Sequence, residues 1–129
     1  AARRLFADCQ GEEQAYYQKF GDFPIMHVIA MRQTLLNKEP WLAMALMNMF
    51  NDAYDLANVY FDDPNWSRLA WGRHYYELER NNFSEDPWAN GFSRNRTNIE
   101  RFINYSHDQA LIEAPYSPES LFAEQTLNT

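Results

Sequence analysis

Three histidines, His27, His74 and His107, are the side chains in this 129-residue sequence best suited to moving a proton near neutral pH. His27 lies inside a short apolar run, Phe23-Pro24-Ile25-Met26-His27-Val28-Ile29-Ala30-Met31. Side chains alternate along a strand, so in a regular strand His27 shares a face with Ile25, Ile29 and Met31 while Arg32 points the other way. Two readings of His27 stay open: a satisfied core residue, or an acid or base placed at a strand end to act on a ligand. His74 and Glu77 form an i, i+3 pair that could reach one metal ion from a single helical turn, although a local hydrogen bond or a solvated face is the commoner use of such a pair. His107 falls on the apolar side of a later helical stretch, where packing is the default. Gly-rich phosphate loops, paired-cysteine metal spacings and an exposed-serine elbow are all missing, and with them the usual signatures of nucleotide-driven and acyl-transfer chemistry.

The elements that must position these residues are mostly helical. Residues 10 to 20 suit a helix, closed by Gly21 where a left-handed cap needs a residue without a Cβ. The run from 23 to 31 is entered through a proline and is apolar on both parities, the pattern of a strand buried on both faces. It is the one convincing strand, and a lone strand leaves two unpaired edges, so its partners are expected outside this sequence. Pro40 suits a first helical turn, and Leu42, Leu46, Met49, Ala53, Leu56 and Tyr60 recur at steps of four and three to make one apolar stripe on a helix from 40 to 61. Leu46 sits mid-stripe and is expected to be buried, with Asn51 on the flank. A second helix is expected over 66 to 80, an ordered aromatic loop over 81 to 93, and a third helix with Ile99, Phe102, Ile103, Ser106, His107 and Ala110 on one face. Ser117 before Pro118 resembles a cap that starts a short final turn.

Composition narrows the function classes. Eleven basic against eighteen acidic residues give a formal charge of −7, which repels phosphate backbones and anionic lipid, so no nucleic-acid or membrane partner is expected. The apolar run from Trp41 to Met47 is far short of the roughly 20 residues that cross a bilayer. The solitary Cys9 cannot close an internal disulfide, and a reducing cytoplasm is the expected compartment. The string opens Ala-Ala-Arg-Arg without an initiator Met, and a missing N-terminal portion or a partner chain is expected; a homo-oligomer is compatible with the same pattern.

Several blocks, taken in order, carry a family resemblance. Phe23-Pro24-Ile25-Met26-His27 is followed by Arg32, then Glu39-Pro40-Trp41, then Asp86-Pro87-Trp88 with Gly91, then Asn95, then Phe102-x-x-Tyr105-Ser106-His107-x-Gln109 and Glu119-Ser120-Leu121-Phe122-Ala123. Together they resemble the C-terminal portion of the 4,5-dihydroxyphthalate decarboxylase family, with departures at Ala70, Ala89-Asn90, Asp108 and Ala110. The resemblance implies an α/β fold of two lobes, of the type II periplasmic-binding-protein kind, with the ligand cleft between them. It implies that 1–23 ends the second lobe, that 24–32 is the crossover strand, and that 33–129 forms helices packing on the first lobe.

The activity implied by the resemblance is non-oxidative loss of one carboxylate from a catechol dicarboxylate to give a dihydroxybenzoate. That reaction needs a proton delivered to the ring carbon bearing the leaving group, and cationic donors on the retained carboxylate. The resemblance makes His27 the acid. Arginine suits the carboxylate because its planar fork binds two oxygens at once, which brings in Arg32 and Arg94, with Arg96 as a further candidate. Trp71 and Trp88 could stack on the ring. No organic cofactor and no metal ligand set are expected, while a divalent ion would suit the catechol oxygens. A different class, a non-catalytic binding protein for a small anionic ligand in transport or sensing, is the alternative, because folds of this kind serve both purposes.

Overall fold

A computed structural model describes residues 2–83 and 86–129 and contains five α-helices and two 3₁₀ turns. Helix α1 (Cys9–Phe20) starts on Asp8, whose carboxylate accepts a hydrogen bond from the Gly11 N–H at 2.9 Å. It ends as expected on Gly21, left-handed at φ 77°, whose N–H is donated to the Tyr17 carbonyl. A short helix, α2 (Gln33–Lys38), follows and had no clear apolar period to announce it. The long helix α3 (Leu42–Asp62) and α4 (Gly72–Asn82) come next, then α5 (Phe92–Asp108). The 3₁₀ turns Pro118–Leu121 and Glu124–Thr126 close the chain.

The expected α/β class with one clear buried strand is overturned. Among the described residues no strand forms, and the run from 24 to 31 is extended but unpaired. Both parities of the run are bare, with Val28 at 65% and Ile29 at 62% exposure. A strand exists only through ladder bonds to a neighbour, and no described segment offers one, so an apolar, β-favouring sequence stays open to solvent.

What core there is belongs to α5. Phe92, Ile99 and Ile103 are buried at 5–8% exposure and pack against Ile112, Phe122 and Leu127 from the C-terminal turns. These positions recur at seven and four residues and define the inward face; Phe102, His107 and Ala110, expected on that face, are exposed. The carbonyl of Thr129 accepts from the Ser93 N–H at 2.7 Å, and its hydroxyl from the Phe92 N–H at 3.1 Å, which satisfies two of the orphan donors at the start of α5. Arg96 on α5 pairs with Glu119 at 2.6 Å. The Ser117 hydroxyl, the residue's own backbone N–H and then Arg96 hold the Glu119 carboxyl down at about 2. Ser117 thus spends its side chain on Glu119 and not on a helical N–H, unlike the cap read from the sequence.

Helix α3 contradicts the expected facing. At 100° per residue the stripe Leu42, Leu46, Met49, Ala53, Leu56, Tyr60 lies roughly 160° round the helix from Met44, Met47, Asn51, Tyr54 and Asn58. The second set is half-buried and faces the chain, toward α4 and the last 3₁₀ turn. Asn51, expected on a flank, accepts a hydrogen bond from Asn90 Nδ2 at 3.1 Å. In the stripe Leu42 and Leu46 are half-buried, and from Met49 (53% exposed) through Leu56 (56%) it is open to solvent. Overall the chain exposes 10568 Å² for 15.3 kDa, where a folded monomer of that mass exposes about 7,100 Å².

The two apolar faces therefore carry opposite expectations. In the isolated chain, Ile103→Ala should cost about 2–5 kcal/mol by opening a cavity in the core, while Leu56→Ala should stay within about 0.5 kcal/mol. Urea denaturation of the two variants beside the parent checks this, and equal losses would mean that the stripe is covered after all.

Candidate functional site

Where aromatic side chains converge, they do so beside α1 and α4. Phe23 stacks on Trp88 with ring centroids 5.5 Å apart and planes 11° from parallel, and Phe83 meets both Tyr17 (4.6 Å) and Phe23 (5.3 Å) edge-on. These offset and edge contacts are the favoured geometries for rings, because a positive edge meets a negative face. Trp88 is fixed further by its indole N–H, donated to Glu79 Oε1 at 2.9 Å, and by its backbone N–H, donated to Asp86 Oδ1 at 2.9 Å. Asp86 in turn accepts from the Tyr54 hydroxyl at 2.7 Å, which ties the loop carrying Trp88 to α3.

The entrance to the apolar run is held by α5. Asn98 Nδ2 donates to the Phe23 carbonyl, and Arg101 Nη1 pairs with Asp22 at 2.5 Å while its guanidinium lies 4.4 Å over the Phe20 ring. Both side chains of that pair are largely covered, so removing one partner would leave the other badly solvated. Beyond Pro24 no such pins are seen among the described residues.

A groove of about 870 Å³ opens beside this cluster, lined among others by Tyr16, Phe20, Phe23, Tyr75, Phe83 and Trp88. Its charged lining is Glu12, Glu13 and Glu79 against Lys19. An aromatic wall with that balance receives a neutral or apolar group readily and disfavours a dianion. Cys9 also lines it and donates its thiol to the Phe6 carbonyl at 3.2 Å.

The residues singled out from the sequence are spread over the molecule. The groove runs through Pro24 and Met26 and stops short of His27, which is exposed on the extended segment. Arg32 is exposed at the start of α2, where its carbonyl accepts from the N–H groups of Leu35 and Leu36. Trp71 is exposed at the start of α4. Arg94, on the first turn of α5, reaches the Asp86 carbonyl at 3.4 Å, so it and Trp88 flank the same loop. Arg96 is committed to Glu119 and Glu100. Of the named residues, then, the chain brings Trp88 and Arg94 to one loop and leaves His27, Arg32 and Trp71 apart.

His74 keeps the solvated-face reading and loses the metal one, and His107 loses its packing reading. Glu77, offered as a metal partner of His74, is taken by Arg73 at 2.6 Å, and the His74 ring lies beside Tyr75. Among the described residues no three of His, Cys, Asp and Glu gather in a metal-binding group. His107 is exposed beside a shallow depression of about 310 Å³ formed with Ala110 and Leu111, so it is not a packing residue. Sequence reasoning also missed Tyr54 and Asp86 as a pair; the two are 32 residues apart, and only the approach of α3 to the loop joins them.

Burial and then the Asp86 carboxylate push the Tyr54 phenol up to about 12, against an ordinary value near 10. A raised folded-state value means that this group's contribution to stability is complete below pH 10 and is lost between pH 10 and 12. Absorbance titration of tyrosinate should show one late phase near pH 12 that vanishes in Tyr54→Phe, and its persistence in that variant would assign it to another tyrosine.

No protein-family model matches the chain. It is 28% identical over 127 residues to the 4,5-dihydroxyphthalate decarboxylase of Comamonas testosteroni, an alignment covering 97% of this chain and 38% of that protein. The chain is thus similar, over nearly all of its length, to less than two fifths of a relative named for decarboxylation.

Proposed function

We propose that this chain is part of a carboxy-lyase that removes carbon dioxide from an aromatic dicarboxylate of the 4,5-dihydroxyphthalate type, working within a longer protein or an assembly. The observation that carries the reading is the similarity to the Comamonas testosteroni decarboxylase along 97% of the chain. His27 is the proton donor in this reading. The ring carbon bearing the leaving carboxylate takes the imidazolium proton, the bond to the carboxylate breaks, and its electron pair restores the aromatic ring as carbon dioxide departs. Atoms and charge balance without an oxidant, so the step is non-oxidative.

Arg32 and Arg94 are the proposed holders of the retained carboxylate, and Trp71 and Trp88 the proposed stacking partners of the ring. The exposure of His27, Arg32 and Trp71 supports the reading in one respect: each is free to meet a ligand or another protein body. The groove beside Trp88 carries Glu12, Glu13 and Glu79 against Lys19, so a dicarboxylate stacked on that ring needs the Arg32 and Arg94 guanidinium groups to offset the groove's charge. Among the described residues no helix is long and apolar enough to cross a membrane.

Carbon dioxide release from 4,5-dihydroxyphthalate by the assembled protein tests the proposal. His27→Gln keeps a polar side chain of similar reach but loses acid/base capacity near neutral pH, so turnover should fall by roughly 10²-fold while the thermal melt stays put. Unchanged turnover in folded His27→Gln would remove His27 from the mechanism, and ligand binding without carbon dioxide release in the parent would replace catalysis by binding.

A further inference from the structure

The loop from Asp86 to Gly91 is tied by side chains to three helices. Asp86 reaches α3 through the Tyr54 hydroxyl at 2.7 Å, Trp88 reaches α4 through its indole N–H on Glu79 at 2.9 Å, and Asn90 reaches α3 again through Asn51 at 3.1 Å. The exit of the loop is held from α5 by Asn95. Its half-buried side-chain amide donates to the Ala89 carbonyl at 2.9 Å and to the Gly91 carbonyl at 2.8 Å. Both hydrogens of the amide are thereby spent on loop backbone, and turning the amide over would set its oxygen against two carbonyl oxygens. The same exit is limited from the other side by Thr129. Gly91 has a positive φ of 117°, and a Cβ on it would lie 2.7 Å from the Thr129 carbonyl carbon, so a side chain there has neither a relaxed backbone angle nor room.

These holds converge on two side chains of the proposed site. The Asp86 carboxylate accepts from the Trp88 backbone N–H at 2.9 Å, and the Asp86 carbonyl accepts from the Arg94 guanidinium at 3.4 Å. Trp88 and Arg94 are thus both referred to Asp86, and the backbone that runs between them is the stretch that Asn95 clasps. From this geometry we infer that Asn95 is a positioning residue: acting through the loop and not on the substrate, its amide sets the spacing of the Trp88 ring and the Arg94 guanidinium so that one aromatic dicarboxylate meets both. The inference rests on the proposed roles of Trp88 and Arg94 as holders of the ring and of the retained carboxylate. Such groups grip the substrate before and during the reaction alike, so loosening them weakens binding more than it slows the chemical step.

The test is Asn95→Leu, which keeps the size of the side chain, removes both donors and adds no charge. Two readouts are taken. The first is the indole N–H resonance of Trp88 in the 129-residue chain labelled with nitrogen-15 at its four tryptophans, assigned by its loss in Trp88→Phe. It should move in Asn95→Leu while those of Trp41, Trp66 and Trp71 stay. The second is turnover of 4,5-dihydroxyphthalate by the assembled protein, where KM should rise by about tenfold or more and kcat stay within about threefold. Ile103→Val loosens the buried face of the same helix without touching the clasp and should leave KM unchanged. If Asn95→Leu does not fold, Asn95→Ser is read in its place, since its one hydroxyl on a shorter arm cannot bridge both carbonyls. An unmoved Trp88 resonance overturns the inference, as does an unchanged KM in a variant whose resonance has moved, or an equal rise of KM in Ile103→Val. A parent protein that releases no carbon dioxide sinks the decarboxylase reading instead, and the resonance then decides by itself whether Asn95 sets the place of Trp88.

Discussion

The 129 residues hold far more apolar surface than their own helices can cover, and most other features of the molecule follow from that imbalance. Among the described residues only α5, with Phe92, Ile99 and Ile103, reaches the burial of an ordinary core, and it does so with the C-terminal turns packed over it. Burial at about 25 cal/mol per Å² is the main favourable term in folding, so a surface left in water contributes nothing to offset the entropy of ordering it. Helix α3 keeps its shape through backbone bonds and one half-buried face while its stronger apolar stripe lies open.

Polar pins take over where apolar packing is thin. The Asn98 amide on the Phe23 carbonyl, Arg101 on Asp22 and Tyr54 on Asp86 join elements 32 to 79 residues apart in sequence. Each such bond is worth on the order of 1 kcal/mol net, enough to choose one arrangement and too little to make it rigid. Their placement matters for function. They fix the aromatic cluster around Phe23 and Trp88 and end at the entrance of the extended run, so His27 sits on backbone that this chain alone does not hold. A side chain at such a position becomes oriented only when something covers its neighbours.

Local signals in the sequence were readable where local physics decides the outcome. Gly21 closed α1 as a left-handed cap, and α3 matched the expected helix nearly to its ends, because capping and period are properties of a few neighbouring residues. The apolar run at 23–31 was read as a buried strand and forms none, since strand formation depends on a partner segment that the pattern cannot supply. The facing of α3 failed for a related reason. An apolar stripe says which face prefers burial, not which layer is present to bury it. On α5 the stripe was offset, so Phe102 and His107 were placed inside and are outside. Of the candidate site, the Trp88 and Arg94 loop is coherent in the structure, and the link between His27 and the rest is not drawn by this chain's own contacts.

Hydrogen exchange of the backbone amides from Ile25 to Ile29 in the chain alone, followed by mass spectrometry, reaches the central claim most directly. In the isolated chain these amides should exchange at close to the rate of an unfolded peptide, whereas amides of α5 should be slower by at least tenfold. Slow exchange at 25–29 in the isolated chain would show that the segment is already partnered, and would contradict the account of an apolar surface that the chain's own helices leave uncovered.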